Sequence, residues 1–523
     1  MNLFASVPRA RPLSPPAEAE EAARCTRELD HARETFVPVV DERMLEVYNH
    51  ARDPNDPLEL RDLWLGRVEC ELGRHAHRAS LAKRWHETSK LRQMSPAEVL
   101  SSRATVRFVK ELFNFFFRDD LYGDLRANDH LILSSGSVDE VAWGLPETLK
   151  ECIRYALERD WYGYSDSRGR SAVREAIAQY ESARIRGVTY TLDNVAVTMG
   201  GTFGISSLVD FILLDGPRKD PVLCGIPNYP PLVESVARRT NIQLVPLPST
   251  HGQTSLAPLI EALTPQTPMV LIQTAANPTG AAVSDAELEL LIKAASPSTI
   301  ILLDECHEWL GPAVLCSSVR AASNVVRVSS LSKVWSAPGL KIGWILADSK
   351  FIDEYYEYAS TSFGGPPSFF YTMIEVLARM ERWIVSNVEP GVAEVNEFES
   401  AYNLDLARVQ AAYESYRLER IAREKALKTL RDACLINLTQ ASGKVVRAPY
   451  SINMAVEFPG WNDSYKCFRD LLRETSVAVF PGILTFCFSG GIVRITTARA
   501  WDDLSTAMSR LRSFNQLKIA AGD

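Results

Sequence analysis

Short apolar runs separated by helix-length amphipathic stretches dominate the chain from about residue 195. Each run is rich in β-branched residues and has the length of a strand that is buried on both faces. The connections are long enough for crossover helices, which predicts an α/β fold: a three-layer α/β/α domain with a mostly parallel sheet. Ligands should bind at the carboxyl ends of its strands. The runs are NVAVTM, PVLCGI, IQLVPL, MVLIQT, TIILLD and VVRVSS.

Helical patterns flank this α/β region on both sides. Residues 1 to about 20 are rich in Pro, Ala and Glu and are predicted to be disordered, and helical patterns follow to about residue 120. Long helices return after about residue 365, including a strongly charged one at about 404–432, before a short α+β section. The predicted division is an N-terminal extension at 1–125, a small-domain segment at 126–165, a large domain at 166–360 and a small α+β domain at 361–523.

Composition narrows the classes of function. The 523 residues are 46% hydrophobic and 23% charged, and the net charge of −8 argues against nucleic acid as a partner. Nine cysteines without a C-x-x-C pair form neither a disulfide framework nor a zinc site, which favours the cytoplasm. No apolar run approaches the roughly 20 residues that span a bilayer, so we expect no membrane association.

One segment departs from the acidic average. Residues 61–110 hold eleven Lys or Arg and five Asp or Glu, an excess of six positive charges. Solvated helix faces are the simpler interpretation, and an anion-binding face is the alternative. His75, His77 and His86 lie nearby, but His75 and His77 point to different helix faces, so no metal site is predicted. A DNA-binding regulator would need a compact helix-turn-helix unit, which these long helices do not indicate.

The segment SLSKVWSAPGLKIG, at 330–343, carries the most specific chemistry. Lys333 follows a buried strand, where its amine can form an imine with an aldehyde cofactor and, once displaced by substrate, can act as a base at the substrate Cα. Ser330 and Ser332, three positions and one position before Lys333, can donate hydrogen bonds to a phosphate. Upstream, the strand NVAVTM leads into Gly200-Gly201-Thr202 and an apolar helix, whose N-terminus can also bind a phosphate.

Other candidate residues are distributed along the chain. They occur in the segments Gly136 in LILSSGS, Tyr164-Ser165-Asp166-Ser167-Arg168-Gly169, Pro227-Asn228-Tyr229, Asn277-Pro278-Thr279-Gly280, Asp304-Glu305-Cys306-His307, and Arg494 in SGGIVRI. In this order and at these spacings, the motifs over residues 126–515 resemble the class I and II aminotransferases. That family has the aspartate-aminotransferase fold (fold type I) and uses pyridoxal 5′-phosphate (PLP).

The resemblance assigns a role to each motif around the cofactor. It implies that Lys333 carries PLP as a Schiff base and that Asp304 pairs with the pyridine nitrogen. It implies that Tyr229 stacks on the ring, and that Asn277 and His307 bond the phenolic oxygen. The phosphate would be held by Gly200, Gly201, Thr202, Ser330, Ser332, Lys341 and Tyr164.

The resemblance also implies a substrate site and an assembly. Arg494 would clamp the α-carboxylate of an amino acid, because its planar fork pairs bidentately with a carboxylate, and Gly136 and Asn277 would lie beside it. In relatives the tyrosine that matches Tyr164 reaches the phosphate of the neighbouring subunit, which implies a homodimer with shared active sites.

Two positions depart from the family pattern. Lys341 stands where the family has a phosphate-binding arginine, so the charge is kept but the fork geometry is lost. His307 stands where most members have a tyrosine, and a histidine there resembles the C–S lyase branch of the fold. Both departures favour chemistry away from the main transaminase line.

The fold alone does not select the reaction. Our first choice is an aminotransferase that acts at Cα through a quinonoid intermediate. The alternative is a β- or γ-eliminating or ring-forming enzyme of the C–S lyase or aminocyclopropane-carboxylate-synthase type, the latter using S-adenosylmethionine. A remote alternative is an aminotransferase-like transcription regulator.

Overall fold

Strands and helices alternate through the middle of the chain in a computed structural model that describes residues 2–24, 33–127, 129–214, 219–308, 315–333, 335–363, 365–441, 443–447 and 452–521. All six apolar runs form strands, as predicted. In chain order the strands are β1 (Thr35–Phe36), β2 (Leu131–Ile132), β3 (Val195–Thr198), β4 (Val222–Ile226), β5 (Ile242–Pro246), β6 (Ser249–Thr250), β7 (Gln253–Thr254), β8 (Met269–Gln273), β9 (Ala282–Val283), β10 (Ile300–Asp304), β11 (Val325–Ser330), β12 (Gly343–Leu346), β13 (Lys444–Val445), β14 (Asn453–Glu457), β15 (Val477–Ala478), β16 (Phe480–Pro481) and β17 (Ile492–Thr496).

Helices occupy most of the remaining described chain. A π-helical segment, Phe116–Asp124, continues the sixth helix, and the long charged helix predicted at 404–432 is the seventeenth. In chain order the helices are α1 (Ala17–Arg24), α2 (Glu42–His50), α3 (Pro57–Leu72), α4 (Ala79–His86), α5 (Pro96–Ser101), α6 (Arg103–Phe115), α7 (Glu140–Trp143), α8 (Glu147–Glu158), α9 (Ser171–Arg184), α10 (Gly201–Ile212), α11 (Pro230–Ala237), α12 (Ala257–Ala262), α13 (Asp285–Ala294), α14 (Ser349–Ser362), α15 (Tyr371–Ser386), α16 (Val392–Val395), α17 (Leu406–Gln440), α18 (Ser464–Thr475) and α19 (Trp501–Ala521).

Contacts divide the chain into two compact units, each built from three stretches. The first unit contains Met1–Ala17, Ser137–Phe211 and Ile300–Thr429. The second contains Glu18–Gly136, Ile212–Thr299 and Leu430–Asp523. The domain boundaries that the sequence suggests, after residues 125, 165 and 360, stay a prediction.

Four strands of the first unit lie side by side in the order β3-β12-β11-β10. β10 and β11 are parallel, whereas β12 is antiparallel to both of its neighbours. All residues of β3, β11 and β12 are buried, which explains why these runs are apolar throughout instead of alternating. Helices α9 and α15 contribute Ile177 and Ile374 to the same core, where Trp335 and Trp383 are the largest fully buried apolar side chains.

The second unit contains parallel and antiparallel strands in separate groups. β4 pairs in parallel with both β5 and β8, while β13, β14, β17 and β16 form an antiparallel sheet in that order. An aromatic cluster links the π-helical segment to the C-terminal part of this unit. The ring centroid of Phe116 lies 4.9 Å from that of Phe468 on α18 and 5.4 Å from that of Phe480 on β16.

The disorder predicted for the first residues is wrong for the part that the structure describes. Leu3 and Phe4 are fully buried in the core of the first unit, and the backbone N–H of Leu3 donates to the carbonyl of Tyr402 at 3.1 Å. Farther along, Arg11 donates from Nε to Oε1 of Glu419 at 3.2 Å. The prediction rested on the average composition of the segment, which is rich in Pro, Ala and Glu. It overlooked Leu3 and Phe4, whose burial orders the segment.

The basic stretch at 61–110 is only in part the solvated helix face that we expected. Arg67 is buried and its Nη2 donates to Oδ2 of Asp463 at 3.2 Å, and Arg78 pairs with the buried carboxylate of Asp120. Glu69, also buried, accepts from Nη1 of Arg469 at 2.8 Å. Asp463 and Asp120 lie outside the stretch, so other parts of the second unit neutralise part of its excess charge.

A buried network of three arginines and three glutamates lies at the end of β10. Both oxygens of Glu305 accept from Arg327, at 2.9 and 2.8 Å, and Oε1 also accepts from Arg320 at 2.8 Å. Burial alone would raise the pKa of Glu305, but these guanidinium groups outweigh it and lower the pKa to about 2. The remaining members are Glu181, Arg184 and Glu308.

We predict that Glu305→Gln lowers the free energy of unfolding by about 3–5 kcal/mol at pH 7, because buried guanidinium groups lose their counter-charge. The folded-state pKa lies below the ordinary value of 4.5, so the carboxylate stabilises the fold above that value and this contribution is lost as the pH falls through about 2. Urea unfolding should therefore show a gap between parent and variant that narrows toward pH 2.

Glu151→Gln is the matched control, because Glu151 pairs with Arg154 at 3.0 Å on the surface. It should change stability by less than about 1 kcal/mol. Equal stability of the Glu305→Gln variant and the parent at pH 7 would contradict the importance of the network.

Candidate active site

Two parallel strands bring a carboxylate and a lysine to the same edge of the first unit. Asp304 is the last residue of β10, and Lys333 comes three residues after the end of β11. Because β10 and β11 are parallel, their carboxyl ends meet at one edge. Asp304 and His307 are buried, whereas Lys333 and Ser332 are half-buried.

Cys306 lies close to Asp304, Ser330 and Lys333. Its backbone N–H donates to Oδ1 of Asp304 at 3.1 Å. Burial raises the pKa of the Cys306 thiol well above its usual range and the Asp304 carboxylate acts in the same direction, while a hydrogen bond with Ser330 and the charge of Lys333 oppose the rise. We call Asp304, Cys306, Ser330 and Lys333 the lysine site. The sequence analysis missed Cys306, although it lies between two residues that were singled out.

The glycine turn before α10 closes on the lysine site. Gly200 has a φ of +83°, a conformation that favours glycine, and α10 begins at the next residue. A Cβ atom on Gly201 would lie 2.5 Å from Sγ of Cys306 and 3.6 Å from Cβ of Ser330. The lack of a side chain at Gly201 therefore allows the start of α10, with its free backbone amides, to approach Ser330.

Lys341 and Thr202 lie at the same turn. A Cβ atom on Gly200 would be 3.6 Å from the Cα of Lys341, which has a φ of +55°. Both Lys341 and Thr202 are exposed, as is Tyr164, whose side chain has no cover from its own chain. The start of α10, Ser330 and Lys341 together give a concentration of hydrogen-bond donors and positive charge that suits an anion.

Helix α17 holds the loop that follows Lys333. Trp335 is fully buried, with the guanidinium carbons of Arg420 and Arg423 at 5.7 and 5.9 Å from its ring centroid. Nη1 of Arg423 donates to Oγ of Ser336 at 2.9 Å. Ser336 has a φ of +53°, so this contact supports a strained turn three residues beyond Lys333.

A second cluster forms around Arg494 in the second unit. Arg494 lies on β17, and its Nη1 donates to Oδ1 of Asn277 at 3.0 Å while Nη2 donates to the carbonyl of Ser134 at 2.7 Å. A Cβ atom on Gly136 would lie 2.5 Å from Nη2, so only glycine leaves room for the guanidinium. We call Arg494, Asn277, Ser134 and Gly136 the arginine site. The sequence analysis placed three of the four and missed Ser134, which acts through its backbone.

Aromatic rings complete the arginine site. The guanidinium carbon of Arg494 lies 4.0 Å from the ring centroid of Phe480, a residue that was not predicted from the sequence. Burial lowers the pKa of Arg494 to about 10, and the nearby Tyr229 acts against this change. The pKa of Tyr229 is raised by burial, and Arg494 opposes that rise. Burial of this cation makes a carboxylate partner favourable.

The first unit defines an α/β protein whose strand ends present a lysine, a carboxylate and an anion-binding helix start. The model of the "Aminotransferase class I and II" family matches residues 128–511, and the chain belongs to this family. The aspartate aminotransferase of Pyrococcus horikoshii is 26% identical over 390 residues, which cover 73% of this chain and 90% of that protein. The valine–pyruvate aminotransferase of Mycobacterium tuberculosis is 26% identical over 398 residues, 74% of this chain and 92% of that protein.

Solved structures show the same fold. The aspartate aminotransferase of Thermus thermophilus with maleate superposes with a TM-score of 0.61 at 23% identity, covering 81% of this chain and all of that one. The predicted family and α/β fold class are confirmed, and the protein is an enzyme, a transferase of the PLP-dependent kind. The relatives are named as aminotransferases, which favours amino transfer over elimination or ring formation. No helix within the described ranges is long and apolar enough to cross a bilayer.

We predict that Gly201→Ala destabilises the protein by about 1–3 kcal/mol, because its Cβ would overlap Sγ of Cys306 in a packed interior. A glycine-to-alanine change in a helix is otherwise favourable by up to about 1 kcal/mol, so a loss is diagnostic. The second change Cys306→Ala should restore most of the stability in urea unfolding.

Gly339→Ala is the matched control, because nothing lies within 4 Å of its Cβ position. If Gly201→Ala were as stable as Gly339→Ala, the close approach of α10 to Cys306 would be wrong.

Proposed function

We propose that this protein binds PLP at Lys333 and transfers the amino group of an α-amino acid to a 2-oxo acid. The observation that carries the proposal is the lysine site, where Lys333, Asp304 and Ser330 meet the glycine turn at the start of α10. The lack of a side chain at Gly201 lets the start of α10 lie against Cys306 and Ser330, where its free backbone amides can bind a phosphate.

The residues fit PLP group by group. The Asp304 carboxylate would accept a hydrogen bond from the protonated pyridine nitrogen, and the half-buried Tyr229 would stack on the ring. Asn277 and His307 would donate to the phenolic oxygen. When bound, PLP supplies an electron sink for negative charge at the substrate Cα. The phosphate would be held by Gly200, Gly201, Thr202, Ser330, Ser332 and Lys341, and by Tyr164 of a second subunit.

Lys333 would move the proton. Its amine would hold the cofactor, and the same group as a free, neutral amine would take the proton from Cα of the substrate. The loop that carries Lys333 is suited to this work because Trp335 and Ser336, the next described residues, are fixed by Arg420 and Arg423 on α17. A fixed loop keeps the amine within reach of Cα.

Arg494 would bind the α-carboxylate of the substrate. Its guanidinium is buried, and two of its nitrogens are already oriented by Asn277 and by the carbonyl of Ser134. Burial disfavours the isolated cation, so pairing with a carboxylate recovers part of that cost. The close fit of Gly136 against Nη2 limits the orientation from which a carboxylate can approach.

We also propose a cytoplasmic homodimer with shared active sites. Tyr164 is fully exposed in a single chain, although its family counterpart reaches the phosphate of the neighbouring subunit. Val141 and Tyr162 are exposed apolar residues of the same unit, which suits coverage by a second copy. None of the eight described cysteines is in a disulfide, which suits a reducing compartment.

We predict that Lys333→Ala purifies without the yellow absorbance of lysine-bound cofactor and that its turnover falls by at least about 10²–10⁴-fold, because the base is lost. Lys293→Ala, on an exposed lysine, is the control and should behave as the parent. Retention of the lysine-linked absorbance band in Lys333→Ala would remove the assignment.

The same preparations test the reaction. The parent should convert its cofactor to the amine form with one or more members of a panel of amino acids and release the matching 2-oxo acid. Release of a thioether from S-adenosylmethionine, or of a β- or γ-leaving group, with no amine form of the cofactor, would replace amino transfer by the lyase alternative.

We predict that Lys333→Ala and Tyr164→Ala complement each other. Each homodimer lacks one essential group at both sites, but a hybrid has one site with Lys333 from one chain and Tyr164 from the other. Refolding an equal mixture should give about a quarter of the parent activity, since half of the dimers are hybrids with one intact site. Activity no higher than the sum of the separate variants would contradict a shared site.

A further inference from the structure

Helix α6 extends an aromatic side chain to the arginine site. The ring of Phe113 has its centroid 5.9 Å from that of Tyr229 and 6.0 Å from that of Phe480, at interplanar angles of 76° and 70°. Both contacts have the edge-to-face geometry that aromatic pairs prefer. Phe113 precedes residue 128, where the match to the family begins, so the family motifs assign it no role.

Phe480 in turn contacts Arg494. Its ring lies 4.0 Å from the guanidinium carbon, a close cation–π contact in a buried setting. Nη1 and Nη2 of Arg494 are held by Asn277 and Ser134, but its buried Nε has no hydrogen-bond partner in the described part of the chain. The aromatic face therefore shares in fixing the plane of the guanidinium, and that plane decides whether both of its arms meet a carboxylate.

The backbone that carries Phe113 is itself firmly anchored. Phe108, Val109 and Leu112 on the buried side of α6 have no exposed surface. The following residues continue the cluster, since the rings of Phe116 and Phe117 lie 5.4 and 6.1 Å from that of Phe480. Phe480 is thus surrounded by phenylalanines from the end of α6 and the π-helical segment. Phe113 is the member that also reaches Tyr229.

We infer that Phe113 is a positioning residue for the substrate carboxylate. The ring of Phe113 fixes the ring of Phe480, which in turn fixes the guanidinium plane of Arg494. The ring of Phe113 also packs against Tyr229. The inference rests on the proposed function, because it assigns the carboxylate of the substrate to Arg494. It adds that the helical region before residue 128 takes part in substrate binding and is not only a cover for the fold.

Phe113→Ala, Phe113→Leu and Phe113→Tyr test the inference, with Phe115→Ala as the matched control. Phe115 is also half-buried on α6, but its ring does not lie beside the arginine site. The guanidinium carbons of Arg78 and Arg61 lie 4.5 and 5.8 Å from its ring centroid. Phe113→Leu keeps apolar bulk if the alanine variant folds poorly. Phe113→Tyr keeps the ring and should restore the parent behaviour.

Calorimetric titration of each holoenzyme with succinate and with 3-phenylpropionate, two unreactive carboxylates, reports the arginine site without turnover. For whichever probe the parent binds, the Ala and Leu variants should lose about tenfold in affinity. The Tyr and Phe115→Ala variants should stay within about twofold. In the half-reaction with the best amino acid of the panel, KM should rise by a similar factor while kcat changes little.

Three results would overturn the inference. Equal losses in Phe113→Ala and Phe115→Ala would show a general packing effect, and a poor Phe113→Tyr variant would show that the ring is not what matters. A parent that binds neither carboxylate would remove the role of Arg494 on which Phe113 depends. The proposed function fails by a separate sign, the absence of lysine-bound cofactor absorbance in the parent.

Discussion

The salt-bridged pair Arg327–Glu305 joins the two strands on which the lysine site depends. Arg327 is in β11 opposite Leu303 of β10, and Glu305 directly follows β10. Two charges with no exposure are tolerated because each is fully paired, and an unpaired member would be costly. The pair therefore restricts the register of β10 against β11, and that register sets Asp304 relative to Lys333. The lysine site therefore lies beside a buried core in which the arginine and glutamate charges balance.

Local pattern was sufficient to predict part of this arrangement. Strand-length apolar runs end at Asp304 and shortly before Lys333, so the parallel sheet alone brings the two residues to one edge. Arg494 and Asn277 were found by motif and do meet at 3.0 Å. What the sequence concealed was long-range pairing: Arg67 with Asp463, or Gly201 against Cys306. Such contacts depend on the folded path of the chain, and no local period encodes them.

The arginine site shows how polar chemistry is positioned by apolar packing. Asn277 and Ser134 hold two nitrogens of Arg494, while the ring of Phe480 covers the face of the same group. Hydrogen bonds set direction within the guanidinium plane, and an aromatic face sets the plane itself. Composition predicts neither, because phenylalanines in the N-terminal helices are expected in any core. The placement of Phe113 beside Tyr229 and Phe480 is what gives this residue a role at the arginine site.

The burial of the first residues has a consequence for synthesis. The side-chain amide of Asn403 donates to Oδ1 of Asn2 at 2.5 Å, a contact between residues 401 positions apart. When Leu3 and Phe4 leave the ribosome, the surface that will enclose them has not yet been made. The core of the first unit can close only after the residues around Tyr402 are translated, so the segment with Leu3 and Phe4 waits without its packing partners for much of synthesis. During that time its apolar side chains are accessible to chaperones.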